Sequence, residues 1–159
     1  MTEPLIDRPR MPGYGIADEI DGALPWEWAK DVMDACRNPA IATTRPDGRP
    51  HVMPVWAVWL DDDGVVFSTA ITSVKSKNLL VNSHCAFSFE RDHDNLVVEG
   101  KAEVVELDEL DGFTDLYKKK YDYAIEEGPV WLLRPTAAFG FIETNEDFTK
   151  TATRWRFEL

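Results

Sequence analysis

The sequence has few cysteines and an excess of acidic over basic residues. Its 159 residues include two cysteines, Cys36 and Cys85. Without metal-type spacing, two cysteines favour free buried thiols of a cytoplasmic protein over a zinc site or a disulfide framework. Lysine and arginine number 17 against 29 acidic residues, a formal net charge of −12. This balance argues against a nucleic-acid or anionic-membrane binder, because phosphate contacts of that kind need clustered cations.

Several familiar sequence signals are also missing. No apolar run approaches the roughly 18 residues of a membrane span, and no charged segment followed by an apolar one opens the chain. There is no Walker loop, no Gly-x-Gly-x-x-Gly after a strand and no Gly-x-Ser-x-Gly elbow. The signatures of P-loop enzymes, dinucleotide-binding folds and α/β-hydrolases are therefore absent from the sequence.

Composition divides the chain into an N-terminal arm and one domain. Residues 1–24 are rich in proline and glycine and show no hydrophobic periodicity. This pattern predicts either a segment laid over the domain or a partner subunit, or else a frayed terminus. Residues 25–159 are long enough for one domain with its own core, and too short for two.

The domain is predicted to be mainly β. Helical spacing indicates helices over 25–37, 74–81 and 108–124. Strand patterns cover 40–45, 50–60, 65–70, 85–90, 96–107, 130–133, 137–143 and 151–159, and Asp47-Gly48 predicts a tight hairpin turn. Short strands joined by hairpins, with few peripheral helices, predict a small antiparallel β-barrel of α+β type.

Residues 49–78 gather polar and cationic side chains around a strand that contains Pro54. A proline inside a strand marks an edge, a bulge or a place where a ligand meets the backbone. The hydroxyl and ammonium groups after this strand are those of Ser68, Thr69, Ser73, Lys75 and Lys77. Ser73 is expected to cap a short helix whose first-turn amides point toward a bound anion. The segment therefore predicts a cradle for a phosphate-bearing cofactor.

A set of motifs in this order and spacing resembles a known superfamily. The motifs are Arg45-Pro-Asp-Gly-Arg-Pro-His-Val-Met-Pro-Val-Trp56, Phe67-Ser-Thr69, Ser73-Val-Lys-Ser-Lys-Asn-Leu79, Val97-Val-Glu-Gly-Lys-Ala102 and Thr153-Arg-Trp-Arg-Phe157. Over residues 26–158 the chain resembles the split β-barrel flavin and deazaflavin oxidoreductases, which include pyridoxamine 5′-phosphate oxidase. The likeness is nearest to the actinobacterial-type branch, many of whose members bind coenzyme F420.

The resemblance implies a six- to seven-stranded antiparallel split β-barrel with peripheral helices. It also implies a homodimer with two cofactor sites at the subunit interface. It assigns Ser68, Thr69, Ser73, Lys75 and Lys77 to the cofactor phosphate; His51, Met53, Pro54, Val55 and Trp56 to the cofactor ring; and Arg154 and Trp155 to the ring or substrate. At position 77 the family more often has arginine. The lysine of this chain keeps the charge but gives up the bidentate fork of arginine.

The implied activity is hydride transfer from reduced F420 to an unsaturated or aromatic small organic molecule, with no metal. Two alternatives stay open: an FMN-dependent oxidase, and a non-catalytic flavin- or F420-binding carrier. The polyglutamate tail of F420 favours a basic exit groove, for which the chain offers Arg49, Lys77 and Lys101. FMN needs only the phosphate pocket.

Overall fold

The computed structural model describes residues 3–158. Met1 and Thr2 of the predicted arm and Leu159 of the predicted last strand lie outside the described residues. The strands are β1 (Leu5–Asp7), β2 (Ala40–Thr44), β3 (Pro50–Pro54), β4 (Ala57–Leu60), β5 (Gly64–Phe67), β6 (His84–Arg91), β7 (Asp94–Val105), β8 (Val130–Ile142) and β9 (Thr153–Arg156). The helices are α1 (Trp26–Ala35), α2 (Val74–Val81), α3 (Phe113–Tyr121) and α4 (Phe148–Thr151), with a 3₁₀ turn at Leu107–Glu109.

The strands form one antiparallel sheet in the order β1-β9-β8-β7-β6-β2-β3. Strand β8 pairs with β5 at Trp131–Leu133 and with β9 at Ala137–Gly140. The strand pairs β4–β5 and β1–β9 therefore lie along the same edge of β8. Over residues 3–158 the sheet does not close, and it has nine strands rather than the predicted six to seven. The predicted fold class, a mainly β antiparallel split barrel with peripheral helices, is confirmed.

Two apolar clusters lie on opposite sides of strand β5. Val65 and Phe67 belong to the larger cluster, which includes residues of α1, whereas Val66 belongs to a second cluster together with residues of α3. This division follows from the two-residue alternation of side chains along a strand. Because β5 is buried on both faces, it reads as a continuous apolar run in the sequence.

The predicted strand 50–60 is wrong as one element. It is interrupted at Val55 and Trp56: β3 pairs with β2, whereas β4 pairs with β5. Pro54 ends β3, consistent with its missing amide donor. Strand β3 is a terminal strand of the sheet, and its Val52 is exposed.

Other boundaries also differ from prediction. The predicted helix 108–124 begins at Phe113, because Gly112 takes a left-handed φ of 79° and separates the helix from the 3₁₀ turn. The predicted strands 130–133 and 137–143 are one strand, β8. Pro135 is tolerated inside it because the opposing register shifts between Glu99 and Gly100, where a bulge relieves the ladder.

The described part of the arm packs on its own domain, one of the predicted alternatives. Strand β1 pairs with β9 along the sheet edge. Asp7 accepts hydrogen bonds from Arg154 Nε and Nη2, both at 2.6 Å, and lies 3.0 Å from Arg156 Nε. Arg8 donates to four backbone carbonyl oxygens, two in the arm and two at Lys150 and Ala152. The arm is thus held by adjacent charged residues.

The contact of Asp7 with Arg154 predicts release of the arm in acid. The hydrogen bonds from Arg154 hold the pKa of Asp7 below its ordinary value. A carboxyl whose folded-state pKa is lowered stabilises the fold above its unfolded pKa and loses this contribution as the pH falls through the folded value. We expect the amides of β1 to exchange hydrogen faster below about pH 4. Asp7→Asn should give the same faster exchange at pH 7, while Asp18→Asn should not; unchanged protection in Asp7→Asn would contradict the role of this ion pair.

Candidate functional site

The turn between β5 and α2 is built from hydrogen-bonded hydroxyl groups. Ser73 Oγ accepts from the backbone amide of Ser76 at 3.2 Å, which confirms Ser73 as the helix cap. Thr69 Oγ1 lies 3.4 Å from Ser73 Oγ, and Ser73 Oγ lies 3.1 Å from Ser76 Oγ. Ser76 Oγ in turn donates to the Ala70 carbonyl and accepts from Trp131 Nε1. These bonds fix the start of α2 against the core.

Helix α2 lies against the β2–β3 hairpin. Asn78 Nδ2 donates to Thr43 Oγ1 at 3.0 Å, and both side chains are buried. Lys75 precedes Asn78 by three residues and so lies on the same side of the helix. Thr43 is the cross-strand partner of His51, which places the two side chains on one face of the hairpin. The sequence therefore brings Lys75 to the hairpin face that carries His51.

His51 is surrounded by positive charge and has a buried nitrogen without a partner. Its Nδ1 atom is buried and forms no hydrogen bond with the described residues. Burial, followed by the charges of Arg45 and Lys75, lowers the pKa of His51 below its ordinary value. The imidazole is therefore neutral at pH 7. We call Arg45, His51 and Lys75 the basic cluster.

The two cations of the basic cluster form no ion pair with any residue in the described range 3–158. On a chain of net charge −12 this is unusual, and neighbouring Arg49 is paired with Asp47 at 2.8 Å. Unpaired cations beside a buried, partnerless imidazole nitrogen make a site suited to an anion.

Lys77 lies apart from the basic cluster. Its side chain is exposed, and it is not among the charges that act on His51. Side chains two residues apart on a helix do not share a face. Of the two predicted phosphate lysines, the structure therefore joins Lys75, and not Lys77, to His51. Arg49, Lys77 and Lys101 lie on three different parts of the fold, the turn before β3, helix α2 and strand β7, and the basic exit groove stays a prediction.

Arg45, Ser76 and Asn78 were not predicted as site residues. Arg45 lies at the base of the Asp47-Gly48 turn, where its amide donates to the Arg49 carbonyl. The turn folds residue 45 back toward residue 51, so the hairpin register alone could have identified it. Ser76 and Asn78 follow from helical spacing once Ser73 is taken as the cap.

The predicted ring-lining residues divide into two groups. On β3, His51 and Met53 lie opposite Thr43 and Ile41 of β2, on one face of the hairpin, and Pro54 is exposed at the strand end. Val55, in contrast, is buried in the larger core cluster. A ring contact stays a prediction for the first three, while the Val55 side chain is occupied by the core.

Trp56 is engaged with α3. Its ring stacks on Tyr121, with 4.6 Å between centroids and an interplanar angle of 9°. The guanidinium of Arg37 lies 5.4 Å from the Trp56 ring centroid. This half-buried indole is fixed by its neighbours, and its contact with a cofactor stays a prediction.

The C-terminal pair Arg154 and Trp155 has structural contacts in this chain. Arg154 is held by Asp7. Trp155 is 0% exposed and packs against Trp26 and Trp28, with ring centroids 5.4 and 6.1 Å away. In this arrangement Trp155 has no surface to offer a ligand. Ser68, half-buried after β5, forms no hydrogen bond with the described residues and stays a predicted phosphate contact.

Apolar side chains are exposed on both elements that carry the basic cluster. On β3 they are Val52 and Met53, and on α2 and the turn before it they are Ile71, Val74, Leu80 and Val81. Val52 is 59% exposed, Leu80 64% and Val81 72%. Exposed apolar residues beside a sheet edge mark a surface that another chain or a ligand covers.

Other kinds of site find no support in the described residues. No group of three or more histidine, cysteine, aspartate or glutamate side chains there could hold a metal ion. No helix between residues 3 and 158 is long and apolar enough to cross a membrane.

The fold is that of the split-barrel flavin and deazaflavin oxidoreductase superfamily. A family model described as Pyridoxamine 5′-phosphate oxidase matches residues 27–138. The chain belongs to this family of flavin-binding oxidoreductases.

Curated relatives are oxidases that match over part of their length. Pyridoxine/pyridoxamine 5′-phosphate oxidase of Gluconobacter oxydans is 37% identical over 97 residues, which are 57% of this chain and 48% of that protein. The same-named enzyme of Rhodopseudomonas palustris strain TIE-1 is 35% identical over 96 residues, 56% of this chain and 45% of that protein. The chain thus spans about half the length of the curated relatives it matches.

Solved structures share the fold more completely. An F420 reductase is 27% identical with a TM-score of 0.56, and the match covers 69% of this chain and 94% of that chain. General Stress Protein 26 from Bacillus anthracis has a TM-score of 0.59 at 18% identity, covering 75% of this chain and 94% of that one. The second likeness shows the fold alone.

Proposed function

We propose that this protein is an F420-dependent oxidoreductase that transfers a hydride to an unsaturated or aromatic small organic molecule. The observation that carries the proposal is the basic cluster: Arg45 and Lys75, which form no ion pair within residues 3–158, beside the His51 imidazole, whose buried Nδ1 has no partner there. The match to an F420 reductase over 94% of its length supports F420 as the cofactor.

The residues present fit an anionic cofactor. Arg45 and Lys75 would hold its phosphate with charge-assisted hydrogen bonds, and the hydrogen-bonded Ser73 and Thr69 hydroxyls lie in the turn that precedes Lys75. His51, with its free Nδ1, can accept or donate one further hydrogen bond without adding charge. When bound, the reduced deazaflavin supplies the hydride.

Exposed Met53 and Pro54 on the strand that carries His51 would line the ring and exclude water from it. The protein's contribution is thus to bind, orient and shield. No protein nucleophile is required.

The proposed unit is a homodimer with the cofactor at the subunit interface. Strand β3 and helix α2 leave large apolar side chains exposed next to the basic cluster. A second copy packed on them would bury this surface and close the site, because the cluster is open within one chain.

Charge introduced into this surface should separate the subunits. We expect Leu80→Glu with Val81→Glu to shift the protein from dimer to monomer in analytical ultracentrifugation, because two carboxylates would be desolvated in each copy of the interface. Val104→Glu, an exposed position on β7, is the matched control and should stay dimeric. A wild-type monomer at high micromolar concentration would contradict the proposed assembly.

Turnover tests the proposed reaction directly. Reduced F420 is mixed with the protein and a panel of enones, quinones and nitroaromatic compounds without oxygen, and reoxidation is followed by the return of deazaflavin absorbance. The proposal expects acceptor-dependent reoxidation that Lys75→Ala slows. No reoxidation with any acceptor, despite tight F420 binding, would favour the carrier alternative.

A second candidate is an FMN-dependent oxidase that passes electrons from substrate to oxygen. It is supported by the relatives named pyridoxine/pyridoxamine 5′-phosphate oxidase at 35–37% identity. The basic cluster would hold the FMN phosphate equally well. Oxygen consumption by the FMN-loaded protein with pyridoxamine 5′-phosphate, and none with F420, would establish this candidate instead.

A further inference from the structure

Lys120, on α3, lies outside the basic cluster and lines a cavity of about 280 Å³. The cavity lies between α1, β4 and α3. Its other lining residues are Asp34, Val58, Trp59, Leu116 and Lys119. Its lining thus combines three apolar side chains with one carboxylate and two amines.

Two backbone carbonyls orient the Lys120 amine. Nζ donates to the Met33 carbonyl at 2.7 Å and to the Ala57 carbonyl at 3.0 Å. A lysine nitrogen has three positions beyond its carbon, each filled by a proton or by the lone pair. The third position of Lys120 Nζ has no hydrogen-bond partner among residues 3–158. The side chain lines the cavity. In the neutral amine both carbonyl contacts persist, and the lone pair takes this third position.

The surroundings raise the fraction of Lys120 that is neutral at pH 7. Burial lowers the pKa of Lys120 to about 8, against the opposing influence of Asp34 and Cys36. The Tyr121 ring, 5.4 Å from Nζ, also opposes this shift, because its face favours the ammonium. At pH 7 the neutral fraction is about a hundredfold or more above that of an exposed lysine. Desolvated lysines of this kind act as nucleophiles toward carbonyl groups.

We propose that Lys120 binds small carbonyl compounds bearing a carboxylate covalently, as an imine, in the cavity between α1, β4 and α3. The lone pair of Nζ forms a bond to the carbonyl carbon. The carbonyl oxygen takes the two amine protons and leaves as water, with Asp34 positioned on the cavity wall to carry protons. No oxidant or reductant is required. Lys119 supplies the charge that favours a carboxylate-bearing ligand.

Reductive trapping tests this site on the full chain. The protein is treated briefly with glyoxylate and sodium cyanoborohydride at pH 7, and each lysine is then mapped by peptide mass spectrometry. We expect labelling of Lys120 at least about tenfold above the mean of the exposed lysines, given its larger neutral fraction. In urea this preference should disappear. Labelling that increases with the solvent exposure of each lysine, or a preference for Lys120 that persists in urea, would overturn the proposal.

Variants separate the reactive amine from its structural contacts. Lys120→Arg retains a charged donor to the Met33 and Ala57 carbonyls but cannot form the imine, so the main labelled site should be lost. Lys118→Arg, an exposed neighbour on the same helix, is the matched control and should label as the wild type. The labelling pattern of the wild-type protein tests the proposal even if Lys120→Arg folds poorly.

The proposed ligand class has its own test. Lys119→Ala should slow labelling of Lys120 by glyoxylate and leave labelling by acetaldehyde unchanged, because acetaldehyde has no carboxylate. Equal slowing with both probes would contradict the preference for a carboxylate.

Discussion

Lys75→Ala is expected to weaken cofactor binding by roughly tenfold to a hundredfold, the loss of one charge-assisted hydrogen bond. The ammonium of Lys75 acts on His51 and has no ion-pair partner in the described part of the chain. Its removal leaves the phosphate with Arg45 as the one charged group of the cluster. Fluorescence quenching of the titrated cofactor measures the change.

Lys77→Ala is the matched control for this experiment. Both lysines lie on α2, but Lys77 is exposed and outside the basic cluster. We expect its replacement to change affinity by less than about threefold, the scale of a screened surface charge. Both variants should melt near the wild-type temperature, since neither side chain belongs to the core. Equal losses for the two lysines would contradict the assignment of the phosphate to the basic cluster.

Trp155→Ala is expected to destabilise the fold by about 3–5 kcal/mol, the cost of removing a buried aromatic side chain. The indole is fully buried between Trp26 and Trp28. Denaturant unfolding followed by circular dichroism measures the loss. The loss of stability should come from the cavity left in the core and should not depend on a bound cofactor.

Arg154→Ala tests the other member of the predicted pair. Its ion pair with Asp7 is partly exposed, so its loss should cost about 1 kcal/mol or less.

A stable Trp155→Ala protein that has lost cofactor affinity would contradict the structural role of Trp155 and restore its predicted contact with the ring or substrate.

The sequence predicted the helix cap and the hairpin because both are local. Ser73 caps α2 through a bond to a residue three positions away, and Asp47-Gly48 closes its turn within a few residues. Such interactions depend on neighbours along the chain, which sequence patterns describe well.

The break at Val55 and Trp56 could not be read from the sequence. The apolar run continues through both residues, and the interruption appears only because β3 and β4 pair with different partners. Pairing between distant strands is a tertiary property that overrides the local pattern. The same limit applies to β8, which continues through Pro135 because one extra residue of β8, Thr136, bulges opposite the Glu99–Gly100 step of β7.

The sequence predicted where the candidate site lies, but only some of the residues that form it. Lys75 and His51 do come together, because α2 docks on the hairpin through Asn78 and Thr43. Arg45 was missed because its proximity to His51 arises from the folded hairpin. Trp155 resembled a ligand contact in its motif, but its burial by Trp26 and Trp28 depends on the packing of α1.

The most direct test of the proposed function is a titration of the purified protein with F420 and, separately, with FMN, followed by fluorescence quenching. Binding of F420 that is at least tenfold tighter than binding of FMN, and weakened by Lys75→Ala, is the predicted result. Tighter binding of FMN would contradict the deazaflavin assignment and favour the oxidase. Binding of neither cofactor would contradict the assignment of the basic cluster as a cofactor site.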